Sequence, residues 1–293
     1  MRVALAQIVS TPDRAANLAR VLQAMDEAAG AGADLVVFPE VVLDRFFPAS
    51  PGTDACKLAA HGGAEPIPGP TCDLVAAKAK EHGLVTVFNL YERDGEGDGA
   101  RYFDSSPVFD ADGTLLGVTR MVHITDYEGF HEQDYYDPGD TGAPVYDTRV
   151  GRIGVAICYD RHYPEYMRAL ALAGAQLVAI PQAGTLGEWP EGLYEAEIRT
   201  AAFQNGYFAV LANRVGVEDT LTFAGESFVV DPEGTVLARG ATLEEDLVVA
   251  DVDLGACERS NARRLFFRDR RPELYGEWVG RPHGGATGHG ESS

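Results

Sequence analysis

Short apolar runs alternate along the first half of the chain with segments in which apolar residues recur at helical spacing. The runs at residues 3–8, 33–38 and 84–91 predict strands, the second of them buried on both faces. Apolar residues at helical spacing between 18 and 25 predict a helix after the first strand. Residues 41–70, which contain five prolines, predict a loop.

The second half repeats this order around a strand–turn–helix–strand unit at residues 151–183. The run from Ile153 to Ile157 predicts a strand, Pro164 suits a first helical position, and residues 176–180 predict the next strand. Two halves of similar pattern predict an α/β fold in which two sheets pack face to face with helices outside. Further elements are expected at residues 71–82, 101–109, 114–120, 190–205, 207–213, 226–231, 235–239 and 245–252.

No linker divides the chain, so we expect a single domain over residues 1–280. Residues 281–293 are rich in Gly, His and Ser, and alanine is their only apolar residue type. Such a segment cannot bury enough surface to offset the entropy lost on ordering. We therefore expect this tail to be disordered, and its removal to leave the stability of the protein almost unchanged.

The formal net charge is −21. This sign argues against nucleic acid and anionic membrane as partners, and no apolar run is long enough to span a membrane. The start of the chain has no signal-peptide pattern and the four cysteines lack metal-ligand spacing, so we expect a reduced, cytoplasmic protein. The seven histidines also lack the spacing of a metal site, and we expect neither a metal nor another cofactor.

Two reactive side chains follow predicted strands directly. Cys158 ends the strand of the 151–183 unit, and Glu40 follows the strand at 33–38. Open α/β layers place reactive groups at the carboxyl ends of strands. A cysteine there can equally be a small buried hydrophobe, and a glutamate there can be a solvated loop acid. Together, however, they offer a thiol nucleophile and a carboxylate that can take its proton.

A series of segments resembles the nitrilase superfamily of carbon–nitrogen hydrolases from residue 3 to about residue 275. GFHEQDYYDPGD, CYDRHYPE and the late Arg-Arg-Pro most resemble the branch that cleaves N-carbamoyl compounds, such as N-carbamoylputrescine amidase and β-ureidopropionase. The matching segments are VALAQI, ADLVVFPE, GTLLGVTRMVHI, GFHEQDYYDPGD, GVAICYDRHYPE, GAQLVAIPQA, NGYFAVLANRVG and FAGESFVVDPEGTVLA. Each segment is weak alone, but their order and separations make a strong signal.

The resemblance implies an α-β-β-α sandwich and assigns three catalytic roles. Cys158 matches the nucleophile, Glu40 the general base and Glu132 the second active-site glutamate. The implied reaction is hydrolysis of an N-carbamoyl or amide substrate through a cysteine acyl-enzyme, with release of ammonia. The resemblance also implies a homodimer or larger homo-oligomer built from the helices after the key strands, and a small-molecule ureido or amide substrate.

One position departs from the family pattern Tyr-Arg-Lys-x-His. Here the segment reads Thr119-Arg120-Met121-Val122-His123, so Met121 occupies the position of the catalytic lysine. If the segment is extended, Arg120 points to the opposite face and does not replace the lysine. Three interpretations remain: a hydrolase with impaired or altered activity, a relative recruited to other Cys/Glu acyl chemistry in a biosynthetic pathway, or a catalytically silent binding protein on the same fold.

Substrate-binding candidates lie outside the core pattern. His162 follows the nucleophile, and Glu188, Trp189 and Glu195 lie in the loop and helix after the strand at 176–180. Related enzymes line their pockets in these regions. Each of the four can instead be an ordinary surface or packing residue, and the sequence does not show which side chains converge.

Overall fold

The computed structural model describes residues 1–280 of the chain, so the expected disordered tail lies outside the described residues. The strands are β1 (Arg2–Gln7), β2 (Leu35–Val37), β3 (Val85–Val87), β4 (Leu90–Asp94), β5 (Arg101–Phe109), β6 (Leu115–Arg120), β7 (Val145–Thr148), β8 (Gly151–Val155), β9 (Leu177–Gln182), β10 (Phe208–Asn213), β11 (Val215–Glu218), β12 (Leu221–Ala224), β13 (Phe228–Val230), β14 (Val236–Arg239) and β15 (Asp246–Asp251). The α-helices are α1 (Arg14–Gly30), α2 (Asp54–His61), α3 (Pro70–His82), α4 (Pro164–Leu172), α5 (Leu193–Asn205), α6 (Ala256–Arg259) and α7 (Pro272–Val279).

The strands form two large sheets and one hairpin. The first sheet has the order β15-β1-β2-β3-β5-β4, with β6 also paired to β5. The second has the order β14-β13-β10-β9-β8-β7, and β11 pairs with β12. At the centre of each sheet the strands run parallel: β2 lies between β1 and β3, and β9 lies between β8 and β10. Parallel neighbours bring the carboxyl ends of their strands to one edge, where Glu40 and Cys158 follow.

Alternation along β1 shows how the layers are built. Val3 and Leu5 join a buried cluster that includes Leu177 and Val210 of the second sheet, so the two sheets face each other. Ala4 and Ala6 point the other way, toward buried residues of α1 and α3. Residues of β9 and β10 alternate in the same manner, and their outer set packs on α4 and α5. The four layers are α-β-β-α, which confirms the expected fold class.

Two local predictions were wrong. The predicted strand at residues 84–91 is broken into two strands, β3 and β4, which pair in one register with the same edge of β5, while β6 pairs with the other edge. The break falls at Phe88 and Asn89, and the Asn89 side chain there serves the candidate site. The predicted loop at 41–70 contains α2, a helix of 8 residues with no buried residue. Its visible signal is Thr53, whose hydroxyl accepts from the Cys56 backbone N–H as an N-cap.

A membrane-spanning helix is not found among the elements of residues 1–280, since none combines the required length with the required apolar character.

Candidate active site

Loops from both sheets bring one thiol and two carboxylates together. Glu40 follows β2, Glu132 begins a short 3₁₀ turn (Glu132–Asp134), and Cys158 begins another (Cys158–His162). The Cys158 sulfur and a carboxylate oxygen of each glutamate all lie within 4.8 Å of one another. Both glutamates are completely buried and Cys158 is 5% exposed. The structure therefore brings together the three residues that the sequence singled out.

The segment that carries Glu40 is fixed through its backbone. The buried Arg214 guanidinium donates to the carbonyls of Glu40 (2.9 Å) and Val41 (2.8 Å). On the other side, the Val41 N–H donates to the Asn89 side-chain oxygen at 2.5 Å. Val41 has φ of +44°, a conformation that costs energy for a β-branched residue and that these contacts maintain. The Glu40 carboxylate is thus presented on a rigid support.

Cys158 is held at the tip of a similarly rigid turn. Its φ is +41°, and its sulfur accepts a hydrogen bond from the Gln182 amide at 3.1 Å. Two residues later, Asp160 is buried and accepts from His123 Nδ1 (2.6 Å) and from the backbone N–H groups of Val122 and His123. Asp160 therefore ties the nucleophile turn to the chain directly after Met121.

Met121 lies in the core beside this turn. It is 1% exposed and belongs to the same central cluster as Cys158. Its N–H donates to the Asp104 carbonyl at 2.9 Å, which continues the β5–β6 ladder by one residue. The expectation that Arg120 points away is met: its guanidinium binds Glu92, Asp94 and Asp140 and stacks on Phe103. No lysine or arginine of β6 therefore takes the place of the lysine in the family pattern.

Asp104 is a further buried acid that the sequence reasoning missed. It lies on β5, is completely buried, and accepts a hydrogen bond from the Asn89 amide at 2.6 Å. The same Asn89 side chain accepts from the Val41 N–H, so it links Asp104 to the segment that carries Glu40. A sequence signal was present: Asp104, Ser105 and Ser106 form a polar triplet inside an otherwise apolar strand, and a buried strand rarely carries unpaired polar groups.

Every acid in this cluster has a raised pKa. Burial, followed by the Glu132 charge, raises the pKa of Glu40 to about 8. Burial also raises the pKa of Asp104 and of Glu132 well above the usual range for carboxyl groups, and their acidic neighbours add to this. For Cys158, burial and then Glu40 and Glu132 raise the thiol pKa, while Arg161 opposes them. The site thus lacks a cation strong enough to offset its acids.

Glu188 forms a second anionic group on the outer side of the thiol. Its carboxylate accepts from Tyr127 Oη (2.5 Å), Tyr194 Oη (2.6 Å) and the Thr185 N–H (3.1 Å). Cys158 contributes to the raised pKa values of both tyrosines, because their hydroxyl groups lie near the sulfur. Among the four predicted substrate-binding residues, Glu188 is the one linked to the nucleophile by hydrogen bonds: Tyr194 Oη donates to Glu188 and accepts from the Gln182 amide, which also donates to the Cys158 sulfur.

The other three candidates lie farther out. His162 contacts Glu197 (2.7 Å) and the Arg161 guanidinium (2.8 Å), and Trp189 packs against its ring at 5.3 Å between centroids. Trp189 and Glu195 line a cavity of about 590 Å³ that does not include Cys158 in its walls. Glu195 is bound by Arg199 and Arg239 at this cavity. Its charge is thus already matched, so the structure favours a packing role for Glu195.

The same thiol and carboxylates have the ligand types of a metal site. A cation bound there would occupy the sulfur that nucleophilic chemistry needs, and we interpret the three groups as nucleophile and acids. A second acidic group, formed by Asp26, Glu81 and His82, lies at the surface. It consists largely of exposed side chains, of which Asp26 pairs with Lys78. Exposed acids of this kind are common without an ion.

Fold and site together define a class of protein: an α-β-β-α sandwich with a buried cysteine among carboxylates at the ends of facing sheets. The carbon–nitrogen hydrolase family model matches residues 2–262. The chain is 35% identical over 289 residues to N-carbamoylputrescine amidase of Solanum lycopersicum, covering 93% of each protein. It is 32% identical over 290 residues to citrullinase of Francisella tularensis subsp. tularensis, covering 95% of this chain and 98% of that one.

A solved structure shows the same likeness in three dimensions. The carbon–nitrogen hydrolase from Helicobacter pylori G27 matches with a TM-score of 0.85 at 29% identity, over 95% of this chain and 98% of that one. The chain belongs to the carbon–nitrogen hydrolase family. The family resemblance seen in the sequence is confirmed, and the protein is an amidohydrolase.

Proposed function

We propose that the protein cleaves a C–N bond of a ureido or linear amide substrate through a covalent intermediate on Cys158. The observation that carries this proposal is the buried cluster in which the Cys158 sulfur and the oxygens of Glu40 and Glu132 lie within 4.8 Å. The relatives support a ureido substrate, because N-carbamoylputrescine and citrulline, named in their descriptions, are both ureido compounds.

The proposed chemistry follows from the positions of these groups. Glu40 takes the thiol proton while the sulfur attacks the carbonyl carbon. The C–N bond then breaks, and the proton on Glu40 passes to the departing nitrogen, which leaves as ammonia. Glu40 next takes a proton from water, whose oxygen attacks the thioester or thiocarbamate carbon, and the C–S bond breaks. The departing sulfur takes that proton from Glu40, which restores the thiol and the carboxylate. A ureido substrate yields a carbamic acid, which loses carbon dioxide and leaves an amine.

Substrate recognition is proposed to involve Glu188. Three hydrogen-bond donors fix its carboxylate near the thiol, and a fixed anion beside an uncharged reacting group suits an ammonium on the substrate. The two named relatives act on compounds that carry both a ureido group and an amine. We therefore infer a ureido amine or ureido amino acid as the substrate class.

Turnover is proposed to be slow for a protein of this fold. Oxyanion formation and thiol ionisation both add negative charge to a site that already holds several acids and has Met121 where the family pattern has lysine. Loss of one oxyanion-stabilising group costs roughly 10²–10³ in rate in other enzymes. The interpretation as a hydrolase of altered activity thus takes precedence over the two alternatives.

Ammonia release tests the proposal. The protein would be incubated with a ureido diamine, ureido amino acids and simple amides, and ammonia measured over hours. Release should be greatest for the ureido amines and absent in Cys158→Ala. Cys56→Ser is the matched control, since Cys56 lies on α2 outside the cluster, and it should retain the wild-type rate.

Two other outcomes would favour the alternatives. Transfer of an acyl group to hydroxylamine from a thioester donor, without ammonia release from any ureido compound or amide, would indicate recruited acyl chemistry. Binding of a ureido amine that raises the melting temperature, with no turnover in any assay, would indicate a binding protein.

A further inference from the structure

The Gln182 side chain contacts the nucleophile from the end of β9. Its amide nitrogen lies 3.1 Å from the Cys158 sulfur, and the residue is 1% exposed. Among the residues that the structure describes, no other group donates a hydrogen bond to this sulfur. β9 is paired on both sides, with β8 and β10, so a strand in the middle of the sheet holds the amide group at the thiol.

A neighbouring tyrosine identifies which end of the amide faces the sulfur. Tyr194 Oη donates its one proton to the Glu188 carboxylate at 2.6 Å, because a carboxylate can only accept. Toward Gln182, at 3.5 Å, the same hydroxyl oxygen is then an acceptor. The end of the amide that lies near both Tyr194 and the sulfur is therefore the NH₂ group, which has one hydrogen for each of them.

The oxygen of the same amide has no partner within the described part of the chain. It is buried, and none of residues 1–280 donates a hydrogen bond to it. A buried acceptor without a donor is costly, so we interpret it as open to a donor that comes with the substrate. Because the other end of the amide contacts the sulfur, this oxygen lies beside the place where a carbonyl attacked by that sulfur must bind. Amides and ureido compounds carry N–H groups next to that carbonyl, whereas esters do not.

We propose that Gln182 is a catalytic residue that acts on both reactants: its NH₂ group stabilises negative charge on the Cys158 sulfur, and its oxygen accepts a hydrogen bond from an N–H of the substrate. When Glu40 takes the thiol proton, the acceptor of the first hydrogen bond becomes charged and that bond strengthens. No proton moves to or from Gln182. The contact with the sulfur is independent of turnover, but the contact with the substrate rests on the proposed function.

This role supplies part of what Met121 cannot. A cation at position 121 would stabilise the sulfur by its charge, whereas the Gln182 amide does so as a neutral donor that needs no counter-ion. The acceptor end adds selection, because a substrate without an N–H at the reacting carbonyl leaves the Gln182 oxygen unpaired.

Alkylation of Cys158 by iodoacetamide tests the contact with the sulfur and needs no turnover. Gln182→Met keeps a similar length but cannot donate, so the alkylation rate at pH 8 should fall about tenfold, which corresponds to a thiol pKa one unit higher. Gln182→Leu has another shape and also lacks a donor, so it should fall to a similar extent. Peptide mapping separates Cys158 from Cys56, which is partly exposed.

Gln176→Met is the matched control. Gln176 directly precedes the other end of β9, where its side chain accepts from the Arg152 N–H at 3.1 Å. The same substitution there should leave the alkylation rate of Cys158 at the wild-type value.

A comparison of an amide with the methyl ester of the same acid tests the contact with the substrate. Loss of the donor to sulfur lowers kcat/KM for both compounds, whereas loss of the acceptor lowers it for the amide alone. The ratio of the two kcat/KM values, amide over ester, should therefore fall about fivefold in Gln182→Met and stay unchanged in Gln176→Met. An unchanged ratio in Gln182→Met would overturn the contact with the substrate.

Failure of this proposal is distinct from failure of the proposed function. Wild-type alkylation rates in Gln182→Met and Gln182→Leu would overturn the contact with the sulfur, whatever the enzyme hydrolyses. A slower rate in only one of them would show that access of the reagent, rather than a hydrogen bond, sets the rate. Should Gln182→Met fail to fold, Gln182→Leu decides alone. Absence of turnover on every amide, ureido compound and ester overturns the proposed function and the substrate contact, and the alkylation rates still decide the contact with the sulfur.

Discussion

The Cys158 thiol lies in surroundings that favour its neutral form. Burial and two neighbouring glutamates raise its pKa, and Arg161 opposes them only in part. A thiol in such a site reacts when a base removes its proton during the attack, rather than as a preformed thiolate. The chemistry of this protein therefore depends on Glu40 more than that of a cysteine enzyme whose thiol is already ionised.

Met121→Lys is expected to raise ammonia release at least about tenfold on some ureido or amide substrate. The ammonium would lower the thiol pKa, favour ionised carboxylates and stabilise the tetrahedral oxyanion. Methionine and lysine have similar length, so the buried position can accept the change. Steady-state ammonia assays give the rate, and Met121→Leu, which adds no charge, serves as the control. Equal rates in all three proteins would show that the missing charge at position 121 does not limit the reaction.

Glu40→Gln is expected to stabilise the protein in mild alkali. Below about pH 4.5 the acid is protonated in both states. Between about pH 4.5 and the folded pKa of about 8, Glu40 loses its proton in the unfolded chain but keeps it in the folded protein. The free energy of unfolding therefore falls as pH rises through this range, and above pH 8 the full loss is reached. Glutamine avoids this penalty. Melting temperature should increase by several degrees at about pH 8.5 and little near pH 4.5.

Glu92→Gln is the control for this prediction. Glu92 is also buried, but it binds Arg120 at 2.6 Å and Ser105 at 2.5 Å, so its loss leaves buried partners unpaired. It should lower the melting temperature at about pH 8.5, opposite to Glu40→Gln. A decrease for both variants would show that the Glu40 carboxylate is stabilised by contacts that burial alone does not describe.

At the residue scale, the sequence could point to groups that belong to linear motifs. Cys158, Glu40 and Glu132 each lie within a recognisable segment. Asp104 could not be found in this way, because its importance comes from the cross-strand neighbour Met121 and from burial. The register between β5 and β6 decides which residue is opposite Asp104 and which face Asp104 points to. A register shift of one residue would have turned Asp104 outward.

At the scale of elements, the chain beyond β6 is held by a close backbone contact. The Gly139 N–H donates to the Met121 carbonyl at 2.8 Å. A Cβ at position 139 would lie 2.4 Å from the Arg120 carbonyl oxygen and 2.7 Å from that of Met121. Glycine is therefore required by the approach of two backbone segments.

Gly139→Ala is expected to lower the free energy of unfolding by about 1–3 kcal/mol and to reduce turnover, since the end of β6 must move. Gly117→Ala on β6 is the control. Its Cβ would meet the Tyr146 ring at 2.6 Å, and a side chain can shift more readily than two carbonyls. Urea unfolding and ammonia assays compare the two variants. A larger loss in Gly117→Ala would contradict the backbone explanation.

Sequence patterns predicted most elements because the buried strands and helices carry clear apolar periodicity. They did not predict the β11–β12 hairpin or α7. Val217 of the hairpin is 73% exposed, and the α7 segment is largely exposed, so little apolar signal marks either element. On α4, Tyr166 and Met167 are buried within the subunit.

At the scale of the whole molecule, a homodimer remains the expectation. Exposed apolar residues of the outer helices, such as Leu172 and Leu193, are candidates for the interface. The buried residues of α4 cannot contact a second subunit. Light scattering at micromolar concentration should give about twice the mass of the chain. Leu172→Glu should shift that mass toward the monomer if α4 lies in the interface, whereas Leu58→Glu on α2 should not. A monomeric wild-type mass would contradict the expectation.

The pairing of β15 with β1 has a consequence for synthesis of the chain. β1 leaves the ribosome before the other strands described, yet one of its two partners is made roughly 240 residues later. At about 5–20 residues per second, that edge of β1 stays unpaired for roughly 10–50 s. The strand is apolar on both faces, and an unpaired edge of this kind invites association with other nascent chains. Polysomes carrying this message should therefore recruit chaperones well before translation reaches β15.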